Sequence, residues 1–327
     1  MSVLVTGGTG FIGSRLAFAC MDRGDQVRVL GLENTEAEKV NRRQLEERGA
    51  EVMLGSVGDP ERVDRALDGI ALVFHLAAAQ HEMNVPDEHF RSINIDGTVR
   101  LLRAARSHRV RRFIHGSTIG VYGTLEGTIS EESLCRPDNV YGRTKLEGES
   151  GVLAEDGLPV VVIRIPEVYG PGDRRLLKLF RAIERGGFFL IGPCDNAHHP
   201  IYIDDLISGL LAASSSEDVL GEVLLLPGRE VVTTREMVDA VAEALGRPVP
   251  RVRLPLAPLA GLAAVMEATL RPLGVQPPLH RRRLDFFRKS FQLSPEKSKR
   301  LLGFDAAVGF REGAVRTARW YRDAGLM

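Results

Sequence analysis

Cysteine is scarce in this chain of 327 residues, which has only Cys20, Cys135 and Cys194. Three thiols so widely scattered build neither a disulfide framework nor a thiolate metal cluster. Their scarcity fits a reducing compartment, so a cytoplasmic protein without a metal is expected. Excess charge of either sign is also lacking. Lys plus Arg and Asp plus Glu balance at 43 each, which leaves no global field to recruit nucleic acid or an anionic membrane. Long apolar runs are missing too. The nearest, Leu254 to Val265, is shorter than a bilayer is wide and is followed by Glu267, so it reads as a core or interfacial helix rather than a transmembrane segment. With Ser2 to Val5 reading as a strand directly after Met1, neither a charged leader nor an apolar signal region is expected. There is no internal repeat and no long polar tract. At 44% hydrophobic residues, the chain can bury a large core as one domain with an appendage, or as two.

The first half alternates strand and helix. Ser2 to Val5 reads as a buried strand, Phe11 to Arg23 as a helix stopped by Gly24, and Gln26 to Leu30 as the next strand. Further units follow: helix Thr35 to Arg48, strand Glu51 to Leu54, helix Pro60 to Leu67, strand Ala71 to Leu76, a long helix Glu88 to His108, strand Arg112 to Gly116, helix Asn139 to Ala154 and strand Pro159 to Ile165. Such alternation predicts an α/β fold with a doubly wound parallel sheet of the Rossmann type. Beyond Ile165 the regularity is lost, and Pro166, Pro171, Pro193 and Pro200 break short elements. The expected division is a dinucleotide-binding domain of residues 1–165 plus about 200–226, with a smaller C-terminal α/β lobe of 166–199 plus 227–327 that binds substrate across a cleft.

Two motifs carry chemistry. Thr6-Gly7-Gly8-Thr9-Gly10-Phe11-Ile12-Gly13 follows the first strand and opens the first helix. In that setting Gly7 permits the tight turn, Gly10 lets the backbone approach a pyrophosphate, and Gly13 allows close helix packing, while the helix N-terminus offers unpaired amides to the anion. The second motif is Tyr141-Gly142-Arg143-Thr144-Lys145. Positions i and i+4 share a helix face, so phenol and ammonium point to one site, and a nearby cation favours the phenolate needed for proton transfer near neutral pH. The plainer readings are a structural Gly-rich turn and a helix-face pair without chemistry.

With these go Phe74-His75-Leu76-Ala77-Ala78, Asn94-Ile95-Asp96-Gly97-Thr98, Ser117-Thr118 with Val121-Tyr122-Gly123, Arg164 with Val168-Tyr169-Gly170-Pro171-Gly172, and Ile201-Tyr202-Ile203-Asp204-Asp205. In this order, over essentially the whole length, the chain resembles an extended short-chain dehydrogenase/reductase of the NAD-dependent epimerase/dehydratase family. The resemblance implies Tyr141 as general acid/base and Lys145 as the cation that holds the nicotinamide ribose and stabilises the phenolate. It implies Thr118 as the hydroxyl on the reacting oxygen; Ser117 competes for that role. A cofactor wall of Gly7, Gly10, Phe11, Ile12, Gly13, Leu76, Ala77, Ala78, Asn94, Lys145 and Ile165 follows by the same route. Asn94 also reads as the N-cap of its long helix, His75 as a packed core histidine, and Tyr122 as pocket or core. Asp205 reads as a structural tie. Relatives often dimerise through the two helices corresponding to Glu88–His108 and Asn139–Ala154, so a homodimer is expected.

The chain departs from the family in three instructive places. Gly31 stands where NAD-linked relatives carry Asp, and Leu32 near where NADP-linked relatives carry Arg, which leaves Glu33 as the candidate carboxylate for the ribose diol and NAD as the expected cofactor. NADP is the alternative, with Lys39, Arg42 and Arg43 as phosphate ligands or a solvated helix face. Ile119 and Gly120 follow Thr118 where dehydratases and decarboxylases carry an acid, so elimination is disfavoured. A nucleotide-sugar 4-epimerase is the expected activity, with Arg282, Arg283 and neighbouring Arg281 on the substrate diphosphate or merely on a solvated turn. The arginine many sugar epimerases place before the Tyr-Ile-Asp-Asp segment is here His198 or His199. A lipophilic alcohol dehydrogenase resembling 3β-hydroxysteroid dehydrogenases or dihydroflavonol reductases is the alternative, supported by the apolar run Leu254 to Val265.

Overall fold

The computed structural model of the chain describes residues 1–80, 85–125, 127–270 and 284–327. Short apolar runs rich in valine, isoleucine and leucine form a seven-stranded sheet: β1 Ser2–Thr6, β2 Gln26–Gly31, β3 Glu51–Leu54, β4 Leu72–His75, β5 Arg112–Thr118, β6 Val160–Ile165 and β7 Val223–Leu225. Its order is β7-β6-β5-β4-β1-β2-β3, and every pairing is parallel. Such a sheet must be covered on both faces, which explains why its central strands are nearly continuous apolar runs. On one face Val3, Val5, Ile114 and Ile163 pack in a core that continues through the C-terminal helices to Ala318 and Tyr321. On the other, Leu4, Val73, Phe113 and Val162 pack with Leu101, Leu102 and Ala105.

The helices are α1 Phe11–Asp22, α2 Glu36–Glu47, α3 Pro60–Leu67, α4 Asp87–Arg91, α5 Thr98–Ser107, α6 Val140–Leu153, α7 Leu177–Glu184, α8 Ile203–Ser215, α9 Thr234–Leu245, α10 Leu256–Leu270, α11 Glu296–Leu302 and α12 Phe310–Asp323. Their ends follow the local chemistry. Thr35 and Glu38 form a capping box on α2, Asp59 caps α3 ahead of Pro60, and Gly246 ends α9 in the left-handed region. Outside the main sheet, residues 168–169 pair with 201–202, 197–198 with 232–233, 190–191 with 253–254, and 128–129 with 292–293.

The expected long helix from Glu88 is three elements. Between α4 and α5 lies a π turn, Ser92–Gly97. Asn94 therefore sits inside a continuous helical rod and is not an N-cap. Widened turns of this kind are frequent at functional sites, and here the turn faces helix α6.

The strand order reverses between β1 and β4, and ligands of open α/β sheets bind beyond the carboxyl ends of strands at such a switch point. Thr6, His75, Thr118 and Ile165 end β1, β4, β5 and β6 on that edge.

Candidate active site

A cleft of about 820 Å³ opens at the switch point. Its floor is the glycine loop. Gly7 takes φ +67°, and a Cβ there would lie 2.8 Å from the Ala77 nitrogen. A Cβ on Gly13 would lie 2.3 Å from the Gly7 carbonyl oxygen, so both positions exclude a side chain. Helix α1 starts at Gly10 with no side-chain cap, which leaves the first-turn amides, including those of Phe11 and Ile12, open to an anion. This cradle fits a dinucleotide pyrophosphate. Sequence reasoning passed over Gly8, whose Cβ would meet the Val29 side chain at 2.6 Å.

One wall is Leu76, Ala77, Ala78 and Ala79, held by a buried polar chain. Thr6 Oγ1 accepts from the Ala77 amide at 3.3 Å and contacts His75 Nδ1 at 2.7 Å, while His75 Nε2 contacts Thr98 Oγ1 at 2.9 Å. Burial, and then the charge of Lys145, push the His75 imidazole down to about 3, so it is a neutral core histidine. Asn94 is fully buried; its Oδ1 accepts from Ala79 N at 2.9 Å, and its Nδ2 donates to Ala79 O at 3.0 Å and to Thr144 Oγ1 at 2.9 Å. It shapes the wall and clips it to α6 without lining the cleft itself.

The opposite side carries Ser117, Thr118 and Tyr141. Asn139 caps α6 by accepting from Gly142 N at 2.9 Å. A Cβ on Gly142 would lie 2.5 Å from the Gly120 carbonyl oxygen and one on Gly148 2.4 Å from that of Asn94. Glycine at these two places lets α6 press directly on the loop after β5 and on the π turn, which brings Tyr141 to the cleft wall beside Thr118. Thr118 Oγ1 accepts from Gly120 N at 3.1 Å. Ser117 instead donates to Glu149 Oε2 at 2.8 Å. Glu149 is itself clasped by Arg164, whose Nη1 also donates to Tyr122 Oη at 2.6 Å. Tyr122 is accordingly a fully buried core aromatic.

Lys145 is 1% exposed and lies behind this wall, not on it. Its Nζ is 3.3 Å from His115 Nε2. Burial drives its ammonium down to about 8, partly offset by the Glu149 carboxylate. A cation of this kind keeps its charge at neutral pH and feels little solvent screening, and it sits one helical turn after Tyr141 on α6.

The adenosine end corrects one expectation. Glu33 does not line the cleft; the chain turns into the capping box of α2, and the Glu33 carboxylate lies 2.6 Å from Arg42 Nη1. The lining there comes from Leu32, Glu36, Glu38 and Asn41. Gly31 has a steric reason: a Cβ would sit 2.4 Å from Thr9 Oγ1. Lys39 pairs with Glu36, and Arg42 with Glu33 and Glu46. No cation lines this end among the described residues.

At the far end Asp173, Arg174 and Arg175 line the cleft, and the sequence reading missed all three. Their signal was the Gly170-Pro171-Gly172 turn immediately before them. Asp173 Oδ1 accepts from Arg175 N at 2.8 Å, and its buried Oδ2 has no partner. His198 contacts Glu167 at 3.0 Å, and His199 contacts Gly228 O at 2.9 Å; neither lines the cleft. Asp205 ties down the Ala307 and Val308 amides at 3.1 and 2.9 Å, as expected of a structural residue. Arg281, Arg282 and Arg283 lie outside the described residues. Among the described residues no cluster of metal-ligating side chains occurs, and no helix is long and apolar enough to cross a membrane.

Comparison with known proteins agrees with this geometry. The chain is 30% identical to a dTDP-glucose 4,6-dehydratase of Streptomyces niveus, over 99% of this chain and 93% of the relative. It is 30% identical to a 3 beta-hydroxysteroid dehydrogenase/Δ5→4-isomerase of Mycobacterium tuberculosis, over 77% of this chain and 71% of the relative. Among solved structures, the UDP-glucuronic acid 4-epimerase from Bacillus cereus in complex with NAD superposes with a TM-score of 0.81 at 25% identity, covering 99% of each chain. The family model of the NAD dependent epimerase/dehydratase family matches residues 3–225, and the chain belongs to that family.

Proposed function

We propose that this protein is an NAD-dependent oxidoreductase of a secondary alcohol, working as a nucleotide-sugar 4-epimerase. The observation that carries the reading is the shared wall of Tyr141 and Thr118 over the glycine loop, with Lys145 buried one turn behind the phenol. NAD, when bound, supplies a hydride acceptor that can return the hydride. Gly7, Gly10 and Gly13 and the open amides of α1 seat its pyrophosphate. Tyr141 Oη takes the proton from the substrate hydroxyl as the carbinol is oxidised and gives it back on reduction. Thr118 Oγ1, which accepts from Gly120 N, is left with its own proton to donate to the reacting oxygen. Ser117 is spent on Glu149. Ile119 and Gly120 offer no acid to drive elimination, which favours epimerisation or simple redox chemistry.

NAD is preferred over NADP because Glu36 and Glu38 line the adenosine end, and carboxylates there repel a 2′-phosphate. Arg174 gives the far end the charge that a sugar diphosphate requires, while Arg175 is held by Asp173 and the Val168 carbonyl. Residues 166–199 and 227–327 are the substrate-binding lobe in this reading. Dimerisation through α5 and α6 is checked by light scattering.

One observation favours a lipophilic alcohol as the second reading. Helix α10 lies outside the cleft lining and is apolar yet leaves Leu262 50% and Val265 60% exposed, a surface that suits contact with a bilayer from which a greasy substrate is drawn. Native mass spectrometry of freshly purified protein, followed by UDP-glucose, UDP-glucuronic acid and hydroxysteroids as substrates, decides between them. Retained NAD with interconversion of 4-epimers supports the first reading; an empty enzyme that is stabilised and turned over only by sterols replaces it with the second.

A further inference from the structure

We infer that His115 is the positioning residue of Lys145, its unprotonated Nε2 holding the buried ammonium in place behind Tyr141. The inference rests on the reading of Tyr141 as acid/base. Two histidine rings lie side by side on neighbouring strands, His75 on β4 and His115 on β5, in direct register with centroids 5.2 Å apart. Both are fully buried. His75 is satisfied at both nitrogens by the Thr6 and Thr98 hydroxyls. His115 is not: its Nδ1 has no partner, and its other nitrogen faces Lys145 Nζ at 3.3 Å.

An ammonium has only donors, so the contact requires a lone pair on Nε2 and places the ring proton on Nδ1, where nothing accepts it. A core histidine chosen for packing alone would not leave that N–H unmet. A doubly protonated ring would set two cations against each other, and burial together with the Lys145 charge holds His115 well below its ordinary range. The other groups around the ammonium are Glu149, one turn on along α6, and His75 on β4, with Arg164 on β6 clasping the Glu149 carboxylate, while Tyr141 lies one turn back on the same helix. Glu149 is shared with Arg164 and Ser117. The neutral imidazole is therefore the acceptor left to fix where the ammonium points. Without it the amine favours its neutral form, and the phenol loses the field that stabilises its phenolate.

The test follows the ultraviolet phenolate signal of Tyr141, taken as the difference between each protein and its Tyr141→Phe counterpart through a pH titration. His115→Met removes the acceptor at similar length; His115→Gln keeps one, because its amide oxygen reaches the place of Nε2. The expected result is a Tyr141 midpoint about one pH unit or more higher in His115→Met, restored in His115→Gln. An unmoved midpoint in the Met variant, or an equal rise in both, overturns the inference, since a merely structural role would change thermal stability and leave the midpoint alone. Should His115→Met fail to fold, His115→Leu, which also lacks an acceptor, takes its place beside His115→Gln with the same two outcomes. Failure of the acid/base reading is seen separately, as undiminished turnover by Tyr141→Phe.

Discussion

Replacing Lys145 with Met should make the protein more tolerant of neutral pH and useless as a catalyst. The interval between the ordinary lysine value of 10.5 and about 8 in the fold corresponds, at ~1.36 kcal/mol per pH unit, to about 3 kcal/mol of cost for burying the ammonium. The sign follows from proton linkage. Between these two values the unfolded chain holds a proton that the folded chain has released, so wild-type stability rises with pH across that window and is lowest, and level, below about 8. Methionine removes the charge at every pH but strands the Nε2 of His115, which returns roughly 1–3 kcal/mol of cost at any pH in this range. Near pH 7 the variant is thus expected to be about as stable as wild type or more so. By about pH 10 wild type should have gained roughly 2.5 kcal/mol on it. Urea unfolding of both proteins at the two pH values measures this change in difference, from which groups common to both cancel. A stability gap that stays constant with pH would refute the reasoning, because the amine would then not be carrying a desolvation cost at all.

Tyr141→Phe should lower turnover by roughly 10²–10⁴-fold while calorimetric affinity for NAD stays at the wild-type value. Gly13→Ala should abolish NAD binding in the same assay, since its Cβ would lie 2.3 Å from the Gly7 carbonyl oxygen. Gly31→Asp, which places the family's usual ribose carboxylate at its usual position, should weaken NAD binding and lower the melting temperature, because the new Cβ meets Thr9 at 2.4 Å. As pH falls from 6.5 towards about 3, the unfolded state protonates His75 while the folded state does not. Stability should therefore drop by several kcal/mol over that window, and His75→Gln should flatten the acid limb of the unfolding curve.

Where periodicity and glycine placement governed the outcome, the sequence was readable. Six of the seven strands, all but β7, and the loop from Thr6 to Gly13 follow from local chemistry alone, and the pair Tyr141 and Lys145 was placed on one helix by its spacing. The errors come from contacts between distant segments. Glu33 lies at the expected distance along the chain, but the turn into α2 hands its carboxylate to Arg42. Nothing local showed that Thr9 occupies the space beside Gly31. Asn94 resembled a cap because it is a short polar residue near a predicted helix start; its actual partners, Ala79 and Thr144, are 15 and 50 residues away. Likewise nothing local separates Ser117 from Thr118, because the carboxylate that accepts the serine hydroxyl's hydrogen bond, Glu149, lies 32 residues on. Arg174 and Arg175 went unnoticed because charged residues after a Pro-Gly turn ordinarily face water.

Two of the three glycines of α6 have a consequence for how such an enzyme can be altered. With backbone pressed on backbone at Gly142 and Gly148, this helix has no slack along its axis or about it, and its phenol is a fixed post. A designer who wants a new alcohol accepted must reshape the segment 166–175 across the gap, moving the guest to the post.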